Sequence, residues 1–298
     1  VEMEAAGYDP EVQVVIQAEF SPHEMSRYGV TPALLGLDSW DTFRYVIGDD
    51  TRVPDRIDGA VTYGGSVDMT DPANLTGFVQ WAQSTYPSER SILVPWNHGG
   101  GYTGLIQDET DGGSAMMTLS EFSGALGSLP LIDIIDFDMC LMGGYTTLEQ
   151  LVGEADVAVF SQELVPGGGL PYTEVLDAIQ SSPTASTEAI AGSMVEEYYN
   201  GYNGGRSSIT KSAYSLSGFS AFDAAMDDLA VLLNARITNA SWRSLIQSVL
   251  VNSQRYKFQE MKDVVNFAQL FKQNTTDTEL IAGLDAVISA ATSTSFRL

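Results

Sequence analysis

Apolar residues in this chain fall into short continuous runs, and helix-patterned stretches alternate with them. The run at 13–18 reads as a strand, and those at 43–47 and 60–63 as short strands able to form a hairpin. Over 71–86 the period changes. Pro72 stands in a first turn, and Leu75, Phe78, Val79, Trp81 and Ala82 share one side of a helix. The run at 91–97 is a strand again. Thr118, followed three residues later by Glu121, opens another helix in capping-box form. Two more apolar runs, 132–138 and 156–161, read as strands. These runs alternate little between apolar and polar, as expected when both faces of a sheet are covered. The order predicts an α/β fold with a mostly parallel sheet flanked by helices on both faces. Beyond Gly205 one more strand is expected at 211–216. Then Phe222, Met226, Leu229, Leu232 and Leu233 recur at helix spacing, and helical pattern continues over 242–251, 261–271 and 278–290. The reading divides the chain into a core over 1–216 and a helical C-terminal part over 217–298. Glycine-rich loops at 99–113, 166–171 and 200–208 are expected to line a site.

Composition narrows the function. With 298 residues and 44% hydrophobic content the chain can bury a substantial core. No run approaches the roughly 18 apolar residues of a membrane span. Fourteen basic against 39 acidic residues leave a net charge of −25, which argues against nucleic acid as a partner. That acidity suits a salty or extracellular setting, and it would attract basic substrates. Between Arg90 and Arg206 there is no Lys or Arg. The start at Val1 carries no leader pattern. A mature or processed, secreted or extracytoplasmic form is the expectation. A single cysteine excludes an internal disulfide and a multi-cysteine zinc site.

That cysteine, Cys140, follows the apolar run ending at Asp138 and precedes a helix-patterned stretch containing Gly143 and Gly144. His98 stands in the same position relative to the upstream strand at 91–97, and Gly99, Gly100 and Gly101 follow it. In an open parallel sheet, ligands bind beyond the carboxyl ends of the strands. If the two strands are neighbours, thiol and imidazole face one another there. Thiolate is the nucleophilic form of a thiol, and helix-turn amides and a nearby imidazolium favour it. Main-chain N–H groups of the glycine run would meet a developing oxyanion, and His98 would protonate the leaving amine. The competing reading is an inert core cysteine beside a solvent-facing histidine. Strand alternation sets Asp138 on the face of Cys140, either near the scissile bond or merely capping the turn. Asp108, Glu109 and Asp111, with Gly112 and Gly113, offer hard oxygen ligands for calcium but do not fit an EF-hand loop. The alternative is a solvated acidic loop.

The segments Trp96 to Gly101 and Asp136 to Met142 resemble the clostripain-like cysteine peptidases, the C11 family of the caspase-like clan. The blocks at 161–163 and 166–172, and Asp108, Glu109 and Thr110 with Leu119, resemble it too, and the likeness runs from about residue 3 to residue 270. The resemblance implies a caspase-like α/β fold and peptide-bond hydrolysis by a dyad of Cys140 and His98. Gly99 and Cys140 would supply the oxyanion amides. It implies cleavage after Arg or Lys, with Asp138 the acid of the P1 pocket and Ser161, Glu163 and Gly168 also in contact with substrate. No cofactor is required, and calcium enters only as the ion some relatives depend on. The chain departs from the family pattern in three places. Gly168 stands where an acidic residue is frequent. The stretch from His98 to Cys140 has no basic residue at which to cleave itself. The family's opening strand is also missing, so a separate N-terminal fragment completing the sheet is expected as a partner. The alternative function is a catalytically silent homologue that binds peptides or a partner protein. A non-peptidase acyl-transfer enzyme with the same dyad is the third.

Overall fold

The computed structural model describes all residues except 1, 49–60, 63–64, 112, 114, 203–207 and 259, and only the backbone of Glu24, Val61 and Thr62. Much of the loop expected at 200–208, both ends of the strand expected at 60–63, and Gly112 lie outside the described residues.

A short helix α1 (Glu2–Ala5) leads into β1 (Val15–Ala18), α2 (Pro22–Arg27), β2 (Phe43–Val46) and β3 (Val61–Thr62). The three strands form an antiparallel sheet in the order β1-β2-β3, with Val15 opposite Val46 and Phe43 opposite Thr62. The strand at 13–18 therefore pairs locally with the 43–47 run rather than within the parallel sheet. Helix α3 (Pro72–Thr85) starts as its sequence dictates: the Asp71 carboxylate accepts the Ala73 N–H at 2.9 Å, and Pro72 occupies a position whose N–H has no intrahelical acceptor.

The larger sheet is built from β4 (Ile92–Leu93), β7 (Ile132–Asp136), β8 (Ala155–Phe160) and β9 (Ser212–Ser215), in the order β4-β7-β8-β9. The first three are parallel and β9 runs antiparallel to β8. Between β4 and β7 the chain forms a small antiparallel pair, β5 (Leu105–Gln107) and β6 (Met116–Met117), and then helix α4 (Leu119–Leu126). Both halves of the α4 capping box are made: Thr118 Oγ1 accepts the Glu121 N–H at 3.1 Å, and Glu121 Oε2 accepts the Thr118 N–H at 2.8 Å. Helix α5 (Tyr145–Leu151) crosses from β7 to β8. Helices α6 (Tyr172–Ser181) and α7 (Thr187–Gly201) follow β8 over a stretch that the sequence pattern left without helices.

Both faces of this sheet are covered. Ile134, Val157, Val159 and Ala213 pack under Val175 and Ile179 of α6 and Ile190 and Met194 of α7. On the other face Ile132, Ile135, Phe137, Ala158 and Phe160 meet Phe122 of α4, Leu148 of α5, and the C-terminal helices. Those are α8 (Phe219–Arg236), α9 (Ala240–Asn252), α10 (Val264–Gln273) and α11 (Thr278–Ala291). One apolar cluster runs from Val79 on α3 to Phe296, so the helices of 217–298 share their interior with the sheet. After α11 the chain returns to the sheet: Ser215 donates to the Phe296 carbonyl at 2.8 Å, and Leu298 to that of Ala213 at 3.1 Å.

Candidate active site

The register of the parallel strands builds the site. Ile92 pairs with Ile134, Leu93 with Ile135, and, beyond the strand ends, Trp96 bridges to Asp138. Counted on by the same offset, His98 and Cys140 each fall two residues past that bridge, on chains that pair roughly 4.8 Å apart up to it. Contact between the two loops is close. A methyl group on Gly99 would lie 2.3 Å from the Cys140 carbonyl oxygen and 2.9 Å from Met139 Cβ and Met142 Sδ, so only glycine fits there. His98 is held by its backbone: Asn97 Oδ1 accepts the N–H groups of His98 and Gln107 at 2.6 and 2.9 Å, and the His98 carbonyl accepts the Ile106 N–H at 2.9 Å. The imidazole end is exposed.

Cys140 is half-buried and free of any disulfide. Its Sγ accepts the Val165 N–H at 3.3 Å. The next residue, Leu141, has φ +65° although it is not glycine, a strained conformation that its surroundings must enforce. Leu141 N–H donates to the Glu163 carbonyl at 3.1 Å, Gly143 N–H donates to that of Ser161 at 2.8 Å, and the Leu141 side chain is buried. The turn after β8 thus clamps the turn after β7. Among the described residues no backbone carbonyl accepts the N–H of Gly99 or Cys140.

Asp138 is 3% exposed and lies under the glycine loop at 166–171. Its Oδ2 accepts the Leu170 N–H at 3.0 Å and the Tyr172 hydroxyl at 2.8 Å, while Oδ1 is buried without a hydrogen-bond partner among the described residues. Gly169, with φ +67°, lies so close that a methyl group there would come within 2.5 Å of Asp138 Oδ2. Burial first, and then the Asp138 charge, push the Tyr172 phenol far above its usual range, so it stays a donor.

Other residues singled out from sequence have different surroundings. Ser161 is fully buried, and its hydroxyl bonds to the Glu163 carbonyl at 2.9 Å and to Thr210 Oγ1 at 2.9 Å. Its buried hydroxyl is engaged in ordering the turn after β8. The half-buried Glu163 turns Oε1 back to the Leu164 N–H at 3.1 Å. Gly168 is exposed, and a methyl group there would meet Tyr202 Oη at 3.3 Å. In the acidic loop, Asp108 and Asp111 meet Glu19, from the residues just after β1, rather than Glu109; their carboxylate oxygens lie within 4.8 Å of one another. This is hard-oxygen donor chemistry of the kind calcium takes. Asp108 is already engaged, since Oδ1 accepts the N–H groups of Thr110 and Asp111 at 2.7 and 3.0 Å and Oδ2 that of Met69 at 2.8 Å. Burial, and then the Asp108 charge, raise the Glu19 carboxyl above its usual range against the pull of Thr42 and Ser66.

Three features at the mouth were not read from sequence. Trp96 is 62% exposed beside His98. Met261, just before α10, stands 3.6 Å from where methyl groups on Gly101 and on Gly144 would be, so the C-terminal part reaches the nucleophile turn. Further in, the buried Lys211 is paired with Asp136, two residues before Asp138.

Fold and site together define the class: an α/β protein with a half-buried cysteine and an exposed histidine, each just beyond the carboxyl end of adjacent parallel strands. Comparison with known proteins narrows this further. The model of the clostripain family matches residues 43–294, and the chain belongs to that family of cysteine peptidases. The clostripain of Hathewaya histolytica is 26% identical over 215 residues, covering 63% of this chain and 40% of that protein. The chain thus matches less than half the length of that relative. A secreted C11 cysteine protease from Bacteroides thetaiotaomicron, solved with an irreversible peptide inhibitor, superimposes with a TM-score of 0.65 at 19% identity. That match covers 97% of this chain and 75% of the other. An inactive zymogen C11 protease from Parabacteroides distasonis gives 0.60 at 18% identity over 86% and 68%. These two likenesses establish the fold, the caspase-like α/β arrangement expected from the sequence. None of the described helices is long and apolar enough to cross a membrane.

Proposed function

We propose that this chain is a cysteine endopeptidase that cleaves after Arg, with Lys second, through Cys140 and His98. The observation that carries the reading is the close approach of Gly99, the residue after His98, to the cysteine's own peptide group, two to three residues past the Trp96–Asp138 bridge, which supports His98 and Cys140 acting together. In the reaction the sulfur attacks the scissile carbonyl carbon and its proton passes to His98. The carbonyl oxygen takes the negative charge and meets the N–H groups of Gly99 and Cys140. Collapse of the tetrahedral intermediate expels the amine, which takes the proton back from His98. Water, deprotonated by His98, then hydrolyses the thioester and restores the thiol. No step draws on a metal. A calcium ion held by Glu19, Asp108 and Asp111 would instead tie the chain after β1 to the loop after β5.

The basic P1 preference is supported by Asp138 Oδ1, a buried carboxylate oxygen that, among the described residues, lacks a partner until a guanidinium or ammonium arrives. The open side of β4, where Trp96 is exposed, supports addition of a strand from a separate N-terminal fragment. Secretion is supported by the acidic composition and by the secreted relative of the same fold.

A panel of fluorogenic peptides varied at P1 tests the assignment. Cys140→Ala should abolish turnover of every peptide. Asp138→Ala should lower kcat/KM for Arg and Lys at P1 by about 10–100-fold, the worth of a charge-assisted hydrogen bond, and spare Leu at P1. Equal loss for all P1 types removes the specificity claim.

A further inference from the structure

Asp136, two residues before the proposed P1 carboxylate, forms a buried ion pair with Lys211, their side chains 0% and 2% exposed. Asp136, Asp138 and Cys140 alternate onto one face of the same extended segment, so the two carboxylates follow each other about 6.6 Å apart along it. The Lys211 ammonium pairs with Asp136 Oδ1 and donates to the Phe137 carbonyl, in the peptide group that leads into Asp138, at 3.2 Å. It also lies 5.4 Å from the ring centre of Tyr198, whose hydroxyl is buried without a partner. Asp136 Oδ2 and Asp138 Oδ1 are likewise buried and unpartnered among the described residues. Burial raises the Asp136 carboxyl above its usual range, and the Lys211 ammonium beside it pulls the other way; by formal charge, two carboxylates and one ammonium leave one net negative charge, the amount one P1 cation neutralises.

We propose that Lys211 is the specificity-setting residue of this pocket: its pairing with Asp136 holds the ammonium off Asp138 and leaves the Asp138 carboxylate to the substrate's cation. The inference rests on the basic P1 reading and deepens it. Asp136 acts as a positioning residue, through Lys211. If the Asp136 charge is removed, the buried ammonium is left unpaired at a cost, and on this proposal it turns to Asp138, whose backbone it already approaches through the Phe137 carbonyl. The resident lysine then occupies the place of the P1 side chain.

The experiment measures the ratio of kcat/KM for Arg over Leu at P1. Asp136→Asn should lower that ratio about tenfold or more, chiefly through KM, because the freed lysine competes for Asp138. Adding Lys211→Met to it should restore the ratio to within about threefold of wild type, since the ammonium that would compete for Asp138 is gone. A merely structural ion pair predicts the opposite order, with the double variant no better than the single. That result, or an unchanged ratio in Asp136→Asn, overturns the proposal. Thermal melts of each variant establish that it is folded. Should Asp136→Asn not fold, Lys211→Arg serves in its place: its longer, forked cation spans both carboxylates and should lower the ratio, and an unchanged ratio overturns the proposal. A wild-type enzyme with no basic preference would overturn the P1 reading itself, and that outcome is visible before any variant is made.

Discussion

At the scale of single residues, backbone proximity governs this site more than side-chain chemistry does. Gly99 touches the Cys140 peptide group so closely that one added carbon would lie 2.3 Å from an oxygen. Gly99→Ala should therefore force the ends of the two strands apart. We expect kcat to fall more than about tenfold and stability to fall by about 1–3 kcal/mol, the range for an overpacked position, as read by peptide turnover and thermal unfolding. Unchanged turnover would mean that the close approach has no part in catalysis. His98, Cys140 and Asp138 were legible in the sequence because each sits at a fixed step from the end of an apolar run. Ser161 was legible only as part of a block, and the structure turns it inward to Thr210. Lys211 was not legible as a site residue at all: 75 positions separate it from Asp136, and only packing brings them together.

At the scale of elements, local hydrogen-bond chemistry decides where helices start. Asp71 and the Thr118–Glu121 box marked α3 and α4 in the sequence, and both caps form. Helix α7 went unread although Ser186 caps it, accepting the Ala189 N–H at 3.2 Å, and Ile190, Met194 and Tyr198 recur at helix spacing. Its glycines and its acidic, tyrosine-rich end hid an apolar stripe that only the sheet explains. Asp277 at the start of α11 links two helices: it accepts the Leu280 N–H at 3.0 Å and pairs with Arg236 of α8. The Leu280 amide, and then Arg236, hold its carboxyl below the usual range. A depressed carboxyl contributes stability above its unfolded value, near pH 4, and loses that contribution as pH falls through the folded value. Asp277→Ala should thus lower the melting temperature at pH 7. The gap to wild type should narrow steadily from about pH 4 toward pH 2, and a gap independent of pH would contradict the assignment.

At the scale of the molecule, the sheet and the C-terminal helices behave as one body because they share apolar contacts. Phe296, 2% exposed, stacks 5.2 Å from Phe222 of α8 and lies 4.9 Å from Tyr214 of β9. Phe296→Ala should cost about 3–5 kcal/mol. It should shift the unfolding midpoint by fluorescence and by circular dichroism together. Separate transitions for sheet and helices would contradict a shared core. The sequence pattern placed a boundary near residue 216, where the strand-and-helix alternation stops. The contact of Met261 with the glycines of the nucleophile turn could not be read from that pattern, since it joins segments far apart in the chain.

Most of the strand and helix order, the mostly parallel sheet covered on both faces, the α4 capping box and the placement of Cys140 and His98 just past strand ends were determined by the sequence itself. They rest on periodicity and short spacings, which act within one turn or one strand. Only the tertiary structure decided that Asp138 is buried beneath a glycine loop with one oxygen unpaired among the described residues, that Ser161 is buried, and that Lys211 pairs with Asp136 and reaches the Phe137 carbonyl. Those facts depend on which distant segments share a small volume from which water is excluded, and a pattern along the chain does not encode that until the fold closes.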